Sequence, residues 1–373
     1  MLIGIDASRA TSGAPTGTEI YSRELIRALI AMDRENQYRL YLRENVAPDF
    51  FSNRESRIAN YELRLIPFPR LWTHLRLSYE IHSHTPNLLW VPAHVLPLIH
   101  PRRSIVTIHD LGHLHFPDAH PTMQRLYHTW STRWNARAAS RLFADSEATR
   151  DDIVKYCGVA SGKISVVYPA YDAQLYQPVR DSAEIEKIKS QYRVGKDYVL
   201  AVGTIHPRKN YARLIEAFSK LAMRDLKLVV VGKRGWLYDE IYSRVKSLNL
   251  ESRISFLDYV PASDMPALLS GARLLAFPSL HEGFGLPVLE AQACGTPVVT
   301  SMVSSLPEAA GDGALFVDPF DVDAMAGAMQ RALQDESLRA KLIDNGFRNV
   351  KRFSWEQSAR VVLETISNML GGT

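Results

Sequence analysis

Cysteine is nearly absent: the 373 residues include two, Cys157 and Cys294, far apart in the chain. Two isolated thiols cannot make a disulfide framework or a cysteine-rich metal site, and such sparing use fits a reducing compartment. Long apolar runs are missing too. The longest, Leu88–Ile99, is broken by Pro92, His94 and Pro97, far from the ~20 apolar residues a spanning helix needs. Asp6 and Arg9 come almost at once, where a signal peptide would have a basic start and an apolar core. A cytoplasmic location is therefore expected. The first 150 residues contain no lysine, only arginine. Net charge is +4, divided as +3 over residues 1–175 and +1 over the remainder, which is too even to suggest nucleic acid as a ligand. Glycine and proline number 20 each, so no long disordered stretch is expected.

What is present reads as an ordinary globular chain, 46% apolar and 23% charged, long enough for two domains. The chain is organised around Ser279–Val299. An apolar run ending at Phe277 precedes the glycine-bearing turn Glu282-Gly-Phe-Gly285, a short helix and a second apolar run, Pro297-Val-Val-Thr300. Pro287 suits the first turn of a helix, where its missing N–H costs nothing. Gly295 suits the position just past the helix end. A glycine loop feeding a helix N-terminus presents backbone N–H groups to an anion, and Gly283 and Gly285 allow close approach. Glu282 and Glu290 frame the site. A carboxylate would repel a phosphate but accepts hydrogen bonds from hydroxyls, so a nucleotide-sugar fits both halves. The plainer reading of Glu290 is an acidic first helical turn favoured by the dipole.

Strand-like runs alternate with helical patterns in two consecutive series. The first has strands at Leu2–Ile5, Tyr38–Leu42, Tyr61–Ile66, Leu88–Val91, Ser104–Ile108, Arg141–Ala144 and Ile164–Val167, with helices including Glu19–Ile30, Thr122–Ala139 and Glu147–Tyr156. The pattern breaks near Tyr168–Asp172. The second series has strands at Tyr198–Val202, Leu226–Val231, Ile254–Leu257, Leu274–Phe277 and around Val298. Alternation of this kind predicts parallel doubly wound sheets, with ligands at the carboxyl ends of the strands. The expected fold class is α/β, with two Rossmann-like domains. Residues 1–175, joined by a C-terminal helix within 355–373, form the first domain, and 176–354 form the second.

The spacing Glu282-x7-Glu290, with the intervening GFGLPVLEA and the following GTPVV, resembles the signature of family-4 retaining glycosyltransferases (glycosyl transferases group 1). These are GT-B enzymes, whose two parallel-sheet domains face a central cleft. The resemblance implies that Glu282 binds donor sugar hydroxyls, Glu290 binds the ribose, and the backbone of Gly283, Phe284, Gly285 and Leu286 holds the diphosphate and sugar. Gly203-Thr-Ile-His-Pro-Arg-Lys-Asn210 closes the first strand of the second domain. Two cations at a helix start are unfavourable unless an anion relieves them; a solvated basic turn is the alternative. Pro207-Arg-Lys-Asn210 resembles the family's diphosphate clamp, which assigns Arg208 and Lys209 to the leaving group. Many members have arginine directly after Gly203, where this chain has Thr204. Gly232, Tyr259 and Val260 would line the nucleotide.

In the first domain, a Gly/Ser/Thr-rich loop follows the opening strand but matches neither G-x-G-x-x-G nor a P-loop. By resemblance, Gly17 faces the donor phosphates. His109 begins His-Asp-x6-Pro and would sit at the donor sugar, with Asp110 structural or facing the acceptor. His109, His113 and His115 lack a supporting ligand cluster for a metal. Asp321-Val-Asp323 spells a metal motif of another glycosyltransferase fold, but it reads here as a helix cap. No metal is expected. Basic and aromatic residues in Leu63–Tyr79 suggest an acceptor or membrane-surface patch, or a solvated helix.

The resulting expectation is a hexosyltransferase using GDP-mannose or UDP-glucose, with no further cofactor. The acceptor would be a saccharide or lipid-linked saccharide, with peripheral contact at the cytosolic membrane face and a role in polysaccharide assembly, as in the mannosyltransferase-like members. A GT-B sugar-nucleotide epimerase would share the donor site without an acceptor. A non-catalytic binder would lack the reactive residues, which this chain keeps.

Overall fold

The computed structural model describes every residue except 12–15, 48, 52–59, 94, 118–120 and 372–373. The chain divides into two compact units. Unit 1 comprises Met1–Leu114, Thr122–Ala170 and Phe353–Thr373; unit 2 comprises His115–Pro121 and Tyr171–Arg352.

Unit 1 is built on strands β1 (Leu2–Asp6), β2 (Gln37–Leu42), β3 (Tyr61–Leu65), β4 (Leu88–Val91), β5 (Ser104–Ile108), β6 (Arg141–Ala144) and β7 (Ile164–Val166). They form one sheet in the order β3-β2-β1-β4-β5-β6-β7, parallel throughout. Helices cover both faces, so central strands are buried at every position rather than alternating: all of β4 and β5 is buried. The helix Gly17–Met32 buries Tyr21, Leu25, Ile26, Leu29 and Ile30 at helical spacing. The C-terminal helix, Trp355–Gly371, packs into the same core through Ala359, Val362 and Ile366. The Trp355 ring lies edge-on to Tyr21 at 6.1 Å, and Ser358 Oγ donates to the Tyr168 carbonyl.

Leu63–Tyr79 is not one helix. It begins in β3, passes through a loop and enters a π-helical turn at Trp72–Leu77 that continues as Ser78–Ser83. Trp72 is buried and donates to the Ile66 carbonyl at 2.7 Å.

Unit 2 contains β8 (Tyr198–Val202), β9 (Lys227–Val231), β10 (Ile254–Leu257), β11 (Leu274–Phe277), β12 (Val298–Ser301) and β13 (Ala314–Val317). Their order is β10-β9-β8-β11-β12-β13, again all parallel. In both sheets the order reverses beside the first strand, between β1 and β4 and between β8 and β11. Such switch points open a crevice at the carboxyl ends of the strands.

Sequence periodicity misses β13 and the helix Glu336–Asn349. β13 is a four-residue edge strand directly after the turn at Gly311–Gly313, too short to show a period. The helix buries only Leu342, Gly346 and Asn349. Gly346 lies where a Cβ would come within 3.1 Å of the Gln292 side chain, so close packing replaces an apolar stripe.

Candidate active site

Two loops meet at the switch point of unit 2. β8 is followed by Gly203, whose φ is +140°, and β9 by Gly232. A Cβ on Gly232 would stand 2.1 Å from the Gly203 carbonyl oxygen, so only glycine lets the two strand ends touch. The chain then makes a tight turn at Pro207–Lys209. Asn210, in the left-handed region at φ +62°, redirects it into the helix Tyr211–Ser219. The Asn210 amide donates to the carbonyls of Pro278 and Pro319 at 3.0 and 2.7 Å. This anchors the basic turn to the end of β11. Lys209 folds back over Gly203, where a Cβ would meet Lys209 Cε at 2.8 Å.

Lys209 Nζ donates to Glu282 Oε1 at 2.6 Å and lies 4.7 Å above the centroid of the Phe277 ring. Both charged side chains are about nine-tenths buried. Burial alone would push the Glu282 carboxyl up. The charges of Lys209 and Arg208, with the hydrogen bond from Lys209, more than offset it and hold the group below its ordinary value. The Arg208 carbonyl accepts from Leu280 N at 2.9 Å, which ties the basic turn to the loop carrying Glu282.

Ser304 and Ser305 hold that loop in shape. Ser304 Oγ accepts from Glu282 N and donates to the Glu282 carbonyl, both at 2.9 Å. Ser305 Oγ, fully buried, lies 2.9 Å from the carbonyls of both Glu282 and Phe284. Gly285 has φ +117°, and a Cβ there would strike Leu306 at 2.9 Å. It caps the helix Leu286–Ala293, with Pro287 in the first turn. The first N–H groups of a helix have no intrahelical partner, so positive polarity gathers at this end, four residues after Glu282. The Phe284 side chain is buried. Gly295, at φ +76°, follows the helix end.

Glu290 is half-buried. Burial pushes its carboxyl up to about 7, and the hydrogen bond from the Tyr176 hydroxyl only partly opposes this. Tyr259 is exposed beneath Lys233, whose Nζ lies 5.5 Å from its ring centroid. Val260 turns its side chain into the core, so only its backbone is available. The Thr204 methyl is placed 2.8 Å from where a Cβ on Gly235 would be.

In unit 1, His109 follows β5. Its Nδ1 is 2.8 Å from Asp145 Oδ2, and its Nε2 is 2.9 Å from the Pro92 carbonyl. Two acceptors can be served only by a ring that donates from both nitrogens, the imidazolium. Burial pushes the ring's pKa down. The charge and hydrogen bond of Asp145, with the Pro92 carbonyl and Asp110, more than offset it, and the net shift is upward. Both nitrogens are occupied, because Asp145 and Pro92 stand at the carboxyl ends of neighbouring strands. Gly17 is the exposed first residue of its helix. The carboxylate of buried Glu19 already accepts from Thr16 N at 2.9 Å, which offsets the positive polarity of that helix end. Residues 12–15 of the preceding loop lie outside the described residues. Asp110 accepts from Gly112 N at 2.8 Å.

His113 packs against the ring of His128 at 5.6 Å, and His115 stacks on His281 at 4.5 Å. Asp321 caps the helix Val322–Gln334, accepting from Ala324 N at 2.8 Å, and Asp323 pairs with Lys220. Sequence reasoning missed Asp145, Tyr176, Ser304 and Ser305. Each acts through its position on a neighbouring strand end or loop, which spacing within one motif does not reveal.

The family model described as "Glycosyl transferases group 1" matches residues 182–349, and the one described as "Glycosyltransferase Family 4" matches residues 15–175. The O-antigen chain mannosyltransferase B of Escherichia coli is 32% identical over 359 residues, covering 91% of this chain and 93% of its own. Two solved structures share the fold at 20% identity. The sucrose-phosphate synthase of Thermosynechococcus elongatus superposes with a TM-score of 0.76 over 100% of both chains. Anabaena HepE, solved with UDP and glucose, gives 0.75 over 98% of this chain and 99% of its own. The chain belongs to the group 1 glycosyltransferases of the GT-B type, in their mannosyltransferase-like subgroup, and is a hexosyltransferase.

Proposed function

We propose that this enzyme transfers a hexose, with retention of configuration, from a nucleotide-diphosphate sugar to a saccharide or lipid-linked saccharide during polysaccharide assembly. GDP-mannose is the favoured donor, because the E. coli relative is named a mannosyltransferase; UDP-glucose is the competing one. The observation that carries the reading is the buried Lys209–Glu282 pair at 2.6 Å, set against a helix N-terminus. A cation beside hydroxyl-accepting carboxylate matches a diphosphate joined to a sugar.

In this reading the bond from the sugar's anomeric carbon to the diphosphate breaks, and a bond to the acceptor oxygen forms on the same face. The acceptor's proton passes to a phosphate oxygen of the leaving group. Arg208 and Lys209 neutralise the charge that develops there, a contribution of about 3 kcal/mol or more for a preorganised donor. Gly203, Thr204 and the start of the helix Leu286–Ala293 shape the diphosphate pocket. Glu282 accepts from sugar hydroxyls and Glu290 from the ribose. Gly232, Tyr259 and the Val260 backbone border the base. From unit 1, Gly17 is the proposed contact to the phosphates and His109 the proposed contact to the transferred sugar. The acceptor's lipid would lie at the cytosolic membrane face; among the described residues no helix is long and apolar enough to cross a membrane.

The test is turnover of GDP-mannose and UDP-glucose with a lipid-linked saccharide acceptor, with the anomeric configuration of the product read by NMR. An axial product from an axial donor supports the reading. Inversion, or release of free sugar alone with every acceptor tried, contradicts it.

A further inference from the structure

One helix of unit 1 is inside out. Thr122–Ala138 buries Ser131, Thr132, Asn135 and Ala136. It exposes Met123, Leu126, Tyr127 and Trp130, which recur at i, i+3, i+4 and i+7 and so form one apolar stripe. Its buried polar groups are satisfied: Asn135 Oδ1 accepts from Leu96 N at 2.9 Å, and Ser131 Oγ donates to the His128 carbonyl. The apolar stripe is therefore not a packing error to be relieved by rotating the helix.

The stripe continues onto neighbouring elements. The Trp130 ring lies 5.6 Å from His74, and the Tyr127 hydroxyl lies 3.4 Å from His74 Nε2. This joins the stripe to the turn Trp72–Leu77, around which Leu71, Leu75 and Tyr79 are also exposed. Ile99 N donates to Ser78 Oγ at 3.3 Å, which adds exposed Leu98 and Ile99. An apolar face of this extent marks an interaction site.

The segments that form this face carry almost no acids. Residues 65–79 contain no Asp or Glu, and residues 81–144 contain only Asp110 and Asp118. Glu80, between them, is buried and already binds Arg64 and Arg76. Arg70, Arg102 and Arg133 are exposed. Tryptophan and tyrosine rings beside arginine, without acids, match the boundary between lipid headgroups and acyl chains. A protein partner would not require so consistent an absence of acids.

We propose that this face docks on an anionic lipid bilayer. The proposal deepens the lipid-linked acceptor reading and rests on it for its biological sense. The docking helix also carries His128, whose ring lies 5.6 Å from His113 in the loop that begins at His109. An acceptor whose lipid stays in the bilayer would thus present its sugar beside that loop.

The experiment is co-sedimentation of the full chain with phosphatidylcholine vesicles, with and without phosphatidylglycerol, alongside nucleotide-sugar binding and light scattering. The wild-type chain should sediment with the anionic vesicles, less so at high salt. Leu126→Asp with Trp130→Asp should cut the bound fraction by about tenfold while donor binding is kept. Should that variant lose donor binding through misfolding, Arg70→Gln with Arg133→Gln decides, since both arginines are exposed, and a reduction of about tenfold is again expected. Failure of the wild type to bind anionic vesicles, or binding unchanged in the arginine variant, overturns the proposal. So does a concentration-dependent dimer that the substitutions dissolve, which would assign the face to a second copy. Transfer to a water-soluble acceptor without vesicle binding removes only the docking face; vesicle binding without any transfer removes the enzymatic reading instead.

Discussion

Lys209 and Glu282 lie 73 positions apart in sequence, and their charged atoms are 2.6 Å apart in a nearly dry site. Removing one partner leaves the other charge buried and unpaired, which costs about 3–5 kcal/mol. Lys209→Ala should therefore lower stability by an amount in this range, read by urea unfolding, and should abolish donor binding. Lys209→Ala combined with Glu282→Ala should recover most of the stability and none of the activity. The depressed Glu282 carboxyl adds stability that is present above the ordinary carboxylate value and lost as pH falls through its lower folded value.

Glu290 carries the opposite shift. Its carboxyl, raised to about 7, is less costly to fold when protonated. Its stability contribution is fully present below the ordinary glutamate value and is lost as pH rises through about 7. A ribose hydroxyl donates best to the ionised form, and a hydrogen bond to a charged group contributes about 1.5–3 kcal/mol. Donor affinity should strengthen as pH rises through that region, with proton release seen in calorimetry run in two buffers. Glu290→Gln should flatten the profile; a profile that keeps its slope would exclude Glu290 as the titrating group.

Much of this was legible in the chain itself. The apolar runs of β4, β5, β8 and β11 and the punctuation by Gly203, Gly285 and Gly295 are local signals, and local signals survive folding. Lys209 and Glu282 were each visible within their own motifs; that they neutralise one another was not. Asp145 was invisible because it follows an ordinary strand, and its meaning comes only from β6 lying beside β5. The inverted helix Thr122–Ala138 shows the limit of periodicity. The stripe is plain in the sequence, and the natural inference is that it faces the core.

His109 and Asp145 form a pair whose charge state can be followed directly. The raised His109 pKa contributes stability that is present below the ordinary histidine value and lost as pH rises through the higher folded value. Asp145→Asn removes the charge that sustains the shift. The imidazole titration, read by NMR, should move to lower pH, and kcat should fall more than donor affinity. An unmoved titration would show that the Pro92 carbonyl alone holds the ring charged.

Ser305 tests the loop scaffold. Its hydroxyl lies at hydrogen-bond distance from two buried carbonyls, and losing the hydrogen bond it donates costs about 0.5–1.5 kcal/mol. Ser305→Ala should show that loss in thermal unfolding, together with weakened donor binding through the displaced Glu282 backbone. Ser305→Thr, which keeps the hydroxyl, should recover part of the binding.

A pair of glycines separates backbone necessity from habit. Gly232→Ala puts a Cβ 2.1 Å from a carbonyl oxygen at φ +154° and should cost more than about 3 kcal/mol. Gly327 sits in the helix Val322–Gln334 with nothing within 4 Å of an added Cβ. Gly327→Ala should stabilise by about 0.5–1 kcal/mol. Equal effects in chemical denaturation would contradict the close approach of β8 and β9.

The most direct measurement is calorimetric titration of GDP-mannose and UDP-glucose into the wild-type chain and Lys209→Met, an uncharged side chain of similar length. The account predicts saturable binding of one donor to the wild type and at least about a hundredfold loss in the variant, roughly 2.7 kcal/mol. Absence of binding by either donor, or equal affinity in the two proteins, would contradict a donor site built on Lys209 and Glu282.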